Sequence, residues 1–269
     1  MTTNSYLQMW EDFAKQGSYG YKSSKYNLNN IVGLTGRARE YEIIRLLELK
    51  KTDVFLDVGC ASGRQVFVAA PGVKQAIGID VGKEFIDTAK NFAVSHHIDN
   101  VEFIHTEGTI PFPDNYFDKL MCSEVLEHVD DPHDLLVEIK RVLKERGAVV
   151  FTVPNWNSRG TLWKRLKNGF QPFPFTPLTD FSMEGIKKHG DAHVRQFTYK
   201  TFRELIEKEG FVVDYVGGAS FIDFPHSGPV IEITNQFRLV QQVTFFLEKC
   251  LARLSRSLGR HIILKARRR

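Results

Sequence analysis

Apolar positions along the chain follow two rhythms. In residues 36–49, GRAREYEIIRLLEL, the apolar side chains Ile43, Ile44, Leu46 and Leu47 recur at helical spacing and predict an amphipathic helix. From Val54 the rhythm changes to short apolar runs separated by longer helical stretches. Strands are predicted at 53–58, 75–80 (QAIGID), 101–106 (VEFIHT), 117–125 (FDKLMCSEV) and from Ala148 to Pro154. Helices are predicted from about Gly63 to Ala70, over KEFIDTAKNFAVSHH (83–97) and over HDLLVEIKRVLKE (133–145), the last with Pro132 at its start. Strand and helix therefore alternate, which implies a parallel sheet covered by helices on both faces. Ligands of such sheets lie beyond the carboxyl ends of the strands, where Asp57–Gly59, Asp80, Glu107 and Ser123–His128 all fall.

After Pro154 the rhythm stops. Residues 155–196 mix Trp156, Trp163, Phe170, Phe173, Phe175 and Phe181 with prolines and basic residues, and are read as an insertion covering the crevice. Their aromatics suit a hydrophobic or ring-shaped ligand, or equally the core of a small subdomain. The rhythm returns with helix TYKTFRELIEKEG, strand FVVDYVG, a helix near 234–257 and a final strand HIILKAR. The expected architecture is α/β, doubly wound, with seven mostly parallel strands. Residues 1–35 would form an N-terminal cap segment and 36–269 one domain, with a lid insertion at 155–196 and a helical insertion at 218–258.

Composition is that of an ordinary globular chain: 269 residues, 42% hydrophobic and 25% charged. The three cysteines, Cys60, Cys122 and Cys250, show neither CxxC nor Cys/His metal spacing, which points to a reducing compartment and to no bound metal. The first residues lack a basic stretch followed by an apolar core, so no secretory leader is expected, and no run reaches the ~18 apolar residues of a membrane span. A cytoplasmic protein is the expectation. Net charge is only +4, yet Lys249–Arg269 holds eight Lys/Arg and no Asp/Glu. That segment is either a solubilising edge or a means of peripheral contact with an anionic membrane or a phosphate-bearing substrate.

The stretch VFLDVGCASG points to a ligand at a helix N-terminus, and the rest of the chain has to say which. A dinucleotide fingerprint counted from Gly59 would need glycine where Ala61 and Arg64 stand, so a pyrophosphate ligand is disfavoured. An acid before the first glycine, Gly63 four residues on, and an acid closing the second strand remain. With LDVGCASGR, GIDVGKEFIDTAK, PFPDNYFDKLMCSEVLEHVDDPHDLLVEIKRVLKERG and HVRQFTYKTFRELIEKEGF, the chain resembles the class I S-adenosylmethionine-dependent methyltransferases, notably the ubiquinone- and menaquinone-pathway and small-molecule group. The resemblance covers about residues 36–153 and 193–216, and departs at Ala61, where the family's usual middle glycine is missing. Alanine there is compatible with a negative φ.

The resemblance implies S-adenosylmethionine as cofactor and S-adenosylhomocysteine as product. It places Asp57 at the amino-acid end, directly or through water, and Gly59, Cys60 and Gly63 where backbone approaches the cofactor. Asp80 would accept the ribose hydroxyls, and Glu107, with Thr106 as competitor, the adenine amine. Val81, Gly108 and Ser123 complete the implied set. The acceptor would be a small or lipid-like molecule, methylated at oxygen or carbon. His128 is the first candidate base, or else a packing and capping residue. His193, near His189, is the second, or with Arg195 orders the lid. Other classes remain: a non-catalytic cofactor- or partner-binding relative, and a nucleic-acid methyltransferase, for which WNSRGTLWKRLKNGF offers basic and aromatic residues but no further motif. The helix near 234–258, with Phe237, Val240, Val243, Phe246, Leu247, Cys250, Leu251 and Leu254 at helical spacing, would pack on the sheet or lid, or lie on a membrane surface.

Overall fold

In the computed structural model the described residues are 31–106, 109–129, 131–156, 193–220 and 259–269, with Val243, Phe246, Leu247, Cys250 and Leu251. The elements run α1 (Ile31–Leu47), β1 (Val54–Val58), α2 (Arg64–Ala69), β2 (Gln75–Asp80), α3 (Lys83–Ser95), β3 (Val101–His105), β4 (Phe117–Ser123), α4 (His133–Val142), β5 (Leu143–Pro154), α5 (Tyr199–Lys208), β6 (Phe211–Ala219) and β7 (His261–Arg268). One sheet of seven strands results, in the order β3-β2-β1-β4-β5-β7-β6. β1 to β5 pair in parallel, and β7 is antiparallel to both β5 and β6.

Alternation along the strands sends side chains to two cores. On one face Phe55, Ala76 and Phe103 pack with Ile43 and Leu47 of α1, Val66 and Phe67 of α2, and Phe92 of α3. On the other, Leu56, Ile77 and Phe151 pack with Leu136 and Ile139 of α4 and Phe202 and Ile206 of α5. This is the period-2 pattern of strands buried on both faces. The chain lays β2 and β3 to one side of β1, then returns to place β4 on the other. The reversal opens a crevice above the carboxyl ends of β1, β2 and β4.

Several expected boundaries move. α1 begins at Ile31, inside the stretch read as a cap, and ends at Leu47 rather than Leu49. α4 stops at Val142, and residues 143–145, expected as helix, are extended. Leu143 is fully buried and pairs with Phe117, so burial in the sheet overrides the local helical preference of Leu-Lys-Glu. β6 takes Gly218 and Ala219 out of the expected 218–258 insertion, because antiparallel pairing with β7 runs on to Ala219↔His261. Of the helix near 234–257, the five described residues are helical. Val243, Phe246 and Leu247 are exposed rather than packed, both sheet faces already carrying other helices. Residues 157–192, most of the expected lid, lie outside the described residues. Its two ends belong to the core: Asn155 bridges Phe197 in parallel, and Trp156 donates its N–H to the Phe197 carbonyl at 2.9 Å. Among the described residues no helix is long and apolar enough to cross a membrane.

Candidate functional site

The crevice is a cleft of about 860 Å³. Its floor is the turn after β1. Gly59 has φ +76°, and a Cβ there would meet Val125 Cγ2 at 2.3 Å, so only glycine fits. Gly63 has φ +81°, but its missing Cβ would strike the Phe103 and Phe67 rings. Gly63 thus serves the packing of α2 against β3, while its neighbours Ser62 and Arg64 line the cleft. Ala61 has φ +44°, not the negative value expected. The main chain adopts the left-handed turn that a glycine would ease, held by the Ala61 N–H donating to Asp80 Oδ2 at 2.8 Å.

Asp80 ends β2 on the rim of the cleft. Its Oδ1 accepts from the Gly82 N–H at 2.7 Å, so both oxygens are fixed by backbone while each keeps a lone pair for a further donor. Beside it, Val81 and Phe85 present exposed apolar surface to the cleft, and Thr106 lines the far wall, its hydroxyl donating to the Thr109 carbonyl. Glu107 and Gly108 lie outside the described residues.

Asp57, expected at the amino-acid end of the cofactor directly or through water, ends up in the interior beside the turn. It is 2% exposed, does not line the cleft, and its Oδ2 is buried with no hydrogen-bond partner among the described residues. Burial, with Asp80 nearby, pushes its carboxyl well above the usual range. Cys60 lines the cleft but is buried, and that burial raises its thiol well above the ordinary range. Ser123 turns away from the cleft to share a 2.7 Å hydrogen bond with Thr152 across the β4–β5 pair.

The residue that does enter the cleft there is its neighbour Glu124, at φ +59°. Glu124 accepts from Thr152 Oγ1 at 2.9 Å and lies 3.2 Å from Arg39 and 3.4 Å from His261. Burial alone would raise its carboxyl, but His261, Arg39 and the Thr152 hydrogen bond, with His193, hold it below the ordinary value. Burial lowers His261 to about 4, leaving that imidazole neutral at pH 7. Arg39 and Glu40 of α1 also line the cleft, Glu40 accepting from Arg64 at 2.6 Å. Sequence reasoning missed all three. Glu124 was visible as an acid at a strand's carboxyl end, whereas Arg39 and Glu40 precede β1 and carried no motif.

His128 lines the cleft at the end of the 3₁₀ turn Leu126–His128, its side chain 41% exposed. His193 does not line it, yet stands against His128 with ring centroids 4.9 Å apart. Val194 N–H donates to the Glu127 carbonyl at 2.9 Å and Arg195 Nε to that of Val129 at 3.3 Å, so the returning chain is tied to the β4 turn.

A methyltransferase-domain family model matches residues 56–151. An uncharacterised protein of Methanocaldococcus jannaschii, MJ1252, is 31% identical over 199 residues, 70% of this chain and 73% of that one. The uncharacterised methyltransferase YcgJ of Bacillus subtilis is 33% identical over 106 residues, 39% of this chain and 42% of YcgJ. The crystal structure of YcgJ superposes with a TM-score of 0.56 at 17% identity, covering 87% of this chain and 99% of that one. Geranyl diphosphate C-methyltransferase of Streptomyces coelicolor, crystallised with Mg2+, geranyl diphosphate and S-adenosyl-L-homocysteine, gives 0.57 at 15% identity, over 93% and 86% of the two chains. The chain belongs to the class I S-adenosylmethionine-dependent methyltransferases.

Proposed function

We propose that this protein transfers the methyl group of S-adenosylmethionine to an oxygen or carbon of a small or lipid-like acceptor. The observation that carries the reading is the Asp80 carboxylate, fixed by two backbone N–H groups on the rim of the cleft at the sheet's switch point. Asp80 would accept from a vicinal diol, with Val81 and Phe85 offering apolar surface to a base and the Gly59–Ser62 turn bringing backbone to the amino-acid end. The buried Oδ2 of Asp57, next to that turn, suits a water-bridged contact better than a direct one. The cofactor supplies an activated methyl and its own leaving group. The chain's task is to hold an acceptor in line and exclude water. The Glu124–His128 side of the cleft, with Arg39, is where an acceptor would meet polar groups. The prenyl diphosphate bound by the Streptomyces structure supports a lipid-like acceptor as one member of this class.

Calorimetry on Asp80→Ala tests the cofactor half. Leaving two hydroxyls without an acceptor costs roughly 1–3 kcal/mol, so affinity for S-adenosylhomocysteine is expected to fall about 5- to 150-fold. Unchanged affinity refutes the placement. Incubating metabolite extracts with methyl-labelled S-adenosylmethionine tests the transfer half, and label in no product would favour a non-catalytic binding protein.

A further inference from the structure

We infer that Glu127, His128 and His193 form a binding site for one divalent transition-metal ion, at the wall of the cleft where the acceptor would lie. The metal binding stands on geometry alone; a service to the acceptor rests on the methyl-transfer reading above.

The 3₁₀ turn after β4 buries Leu126 completely and carries Glu127 inward with it, to 1% exposure. A buried carboxylate is costly unless cations or donors surround it. Two imidazoles converge on one of its oxygens: His128 Nε2 lies 3.9 Å and His193 Nε2 4.0 Å from Glu127 Oε1. These separations are too long for hydrogen bonds between the pairs. They are close to the spacing, roughly 3–4 Å, of two donors that each sit about 2.0–2.2 Å from a shared ion. One donor atom from each of the three residues can be chosen so that all lie within 4.8 Å of one another.

The three come from two segments held together independently of any ion. Glu127 and His128 sit on the β4 turn, while His193 is fixed by its neighbour Val194, whose N–H donates to the Glu127 carbonyl. A preformed set of this kind loses little order on binding. Two imidazoles and one carboxylate are donors for zinc, manganese or cobalt rather than for calcium or magnesium, which prefer all-oxygen sites. Three protein ligands leave positions open, and the half-exposed His128 turns the cluster toward the cleft. An acceptor hydroxyl beside such an ion would lose its proton to solvent more readily. Its oxygen would then form the new bond to the methyl carbon as the carbon–sulfur bond breaks. His128 and His193 would thus act as ligands rather than as the bases their sequence positions suggested. The absence of metal expected from the cysteine spacing overlooked a cluster whose members are 65 residues apart from His128 to His193.

The test uses the full chain, stripped with chelator and titrated with Co2+, read by visible absorption and by equilibrium dialysis. One ion per chain is expected, with charge-neutral Glu127→Gln and His193→Gln each weakening binding at least about tenfold. Melting curves and S-adenosylhomocysteine calorimetry on both variants show whether they are folded. Should one fail to fold, His128→Asn, on the exposed ligand, gives the same reading. No stoichiometric cobalt in the wild type, or equal cobalt in wild type and folded variants, overturns the site. A chain that binds S-adenosylhomocysteine but takes up no cobalt would refute the metal site alone. Loss of both would count against the methyltransferase reading itself.

Discussion

Ala61 shows what one methyl group does at the ligand turn. At φ +44° an L-residue sits in the left-handed region, where its Cβ crowds the following carbonyl at roughly 1–2 kcal/mol. Gly59 before it at φ +76° and the 2.8 Å hydrogen bond to Asp80 hold the turn in that shape. Ala61→Gly should therefore relieve the strain, offset in part by about 0.4–1 kcal/mol of added unfolded-chain entropy. A net gain of up to ~1 kcal/mol is expected, seen as a melting point about 2–4 °C higher. A lower melting point would mean that the alanine methyl makes contacts worth more than the strain. Gly59 was legible in the sequence because a left-handed turn after a strand nearly demands glycine. Gly63 was legible only as a glycine. Its neighbours Phe67 and Phe103 arrive from α2 and β3, so whether it faces ligand or core was a question of packing.

Local chemistry and packing divide the elements between them. α5 is set by both: Thr198 accepts from the Thr201 N–H at 3.2 Å and Thr201 Oγ1 accepts from the Thr198 N–H at 3.0 Å, a reciprocal cap. Below it Phe202 and Ile206 are fully buried against the sheet. Thr198→Ala should cost about 0.5–2 kcal/mol, and Thr198→Ser should recover most of it. Urea unfolding would show this as a lower midpoint at unchanged slope. An unaltered midpoint would mean that burial alone holds the helix. The α4–β5 junction went the other way. Residues 143–145 read as helix, yet Leu143 pairs with Phe117 at the sheet, and the strand claims them. The elements with strong period, β1, β2, α3 and β7, fell where the sequence put them to within a residue or two, since burial and propensity agree there.

At the scale of the molecule, a bound cofactor would join the β1 turn, the end of β2 and the wall beyond β3, none adjacent in sequence. S-adenosylhomocysteine at ~100 times its Kd should then stabilise the fold by about 2.7 kcal/mol and raise the melting point by roughly 5–10 °C. No rise would count against the cleft as its site. The basic C-terminal stretch also changes meaning in three dimensions. β7 runs antiparallel, so His261 reaches the cleft end beside Pro154 while Arg267 pairs with Ala148 at the opposite end of the sheet. Lys265 meets Glu48 at 3.2 Å and Arg267 meets Asp214 at 3.1 Å, so charges uncompensated along the chain are partly compensated in space. A membrane held by Arg267–Arg269 would not face the cleft. By itself the sequence determined the strand–helix alternation, the glycine turn and the Asp80 position, because each depends on short-range periodicity or on a conformational demand at one residue. Tertiary structure alone decided that Asp57 is buried, that Ser123 turns to Thr152 while Glu124 enters the cleft, and that Arg39 of α1 and His261 of β7 meet beside it. It also brought His193 onto Glu127 and His128. Those relations join residues tens to hundreds of positions apart, and only the pairing order of the strands brings them within a few ångströms.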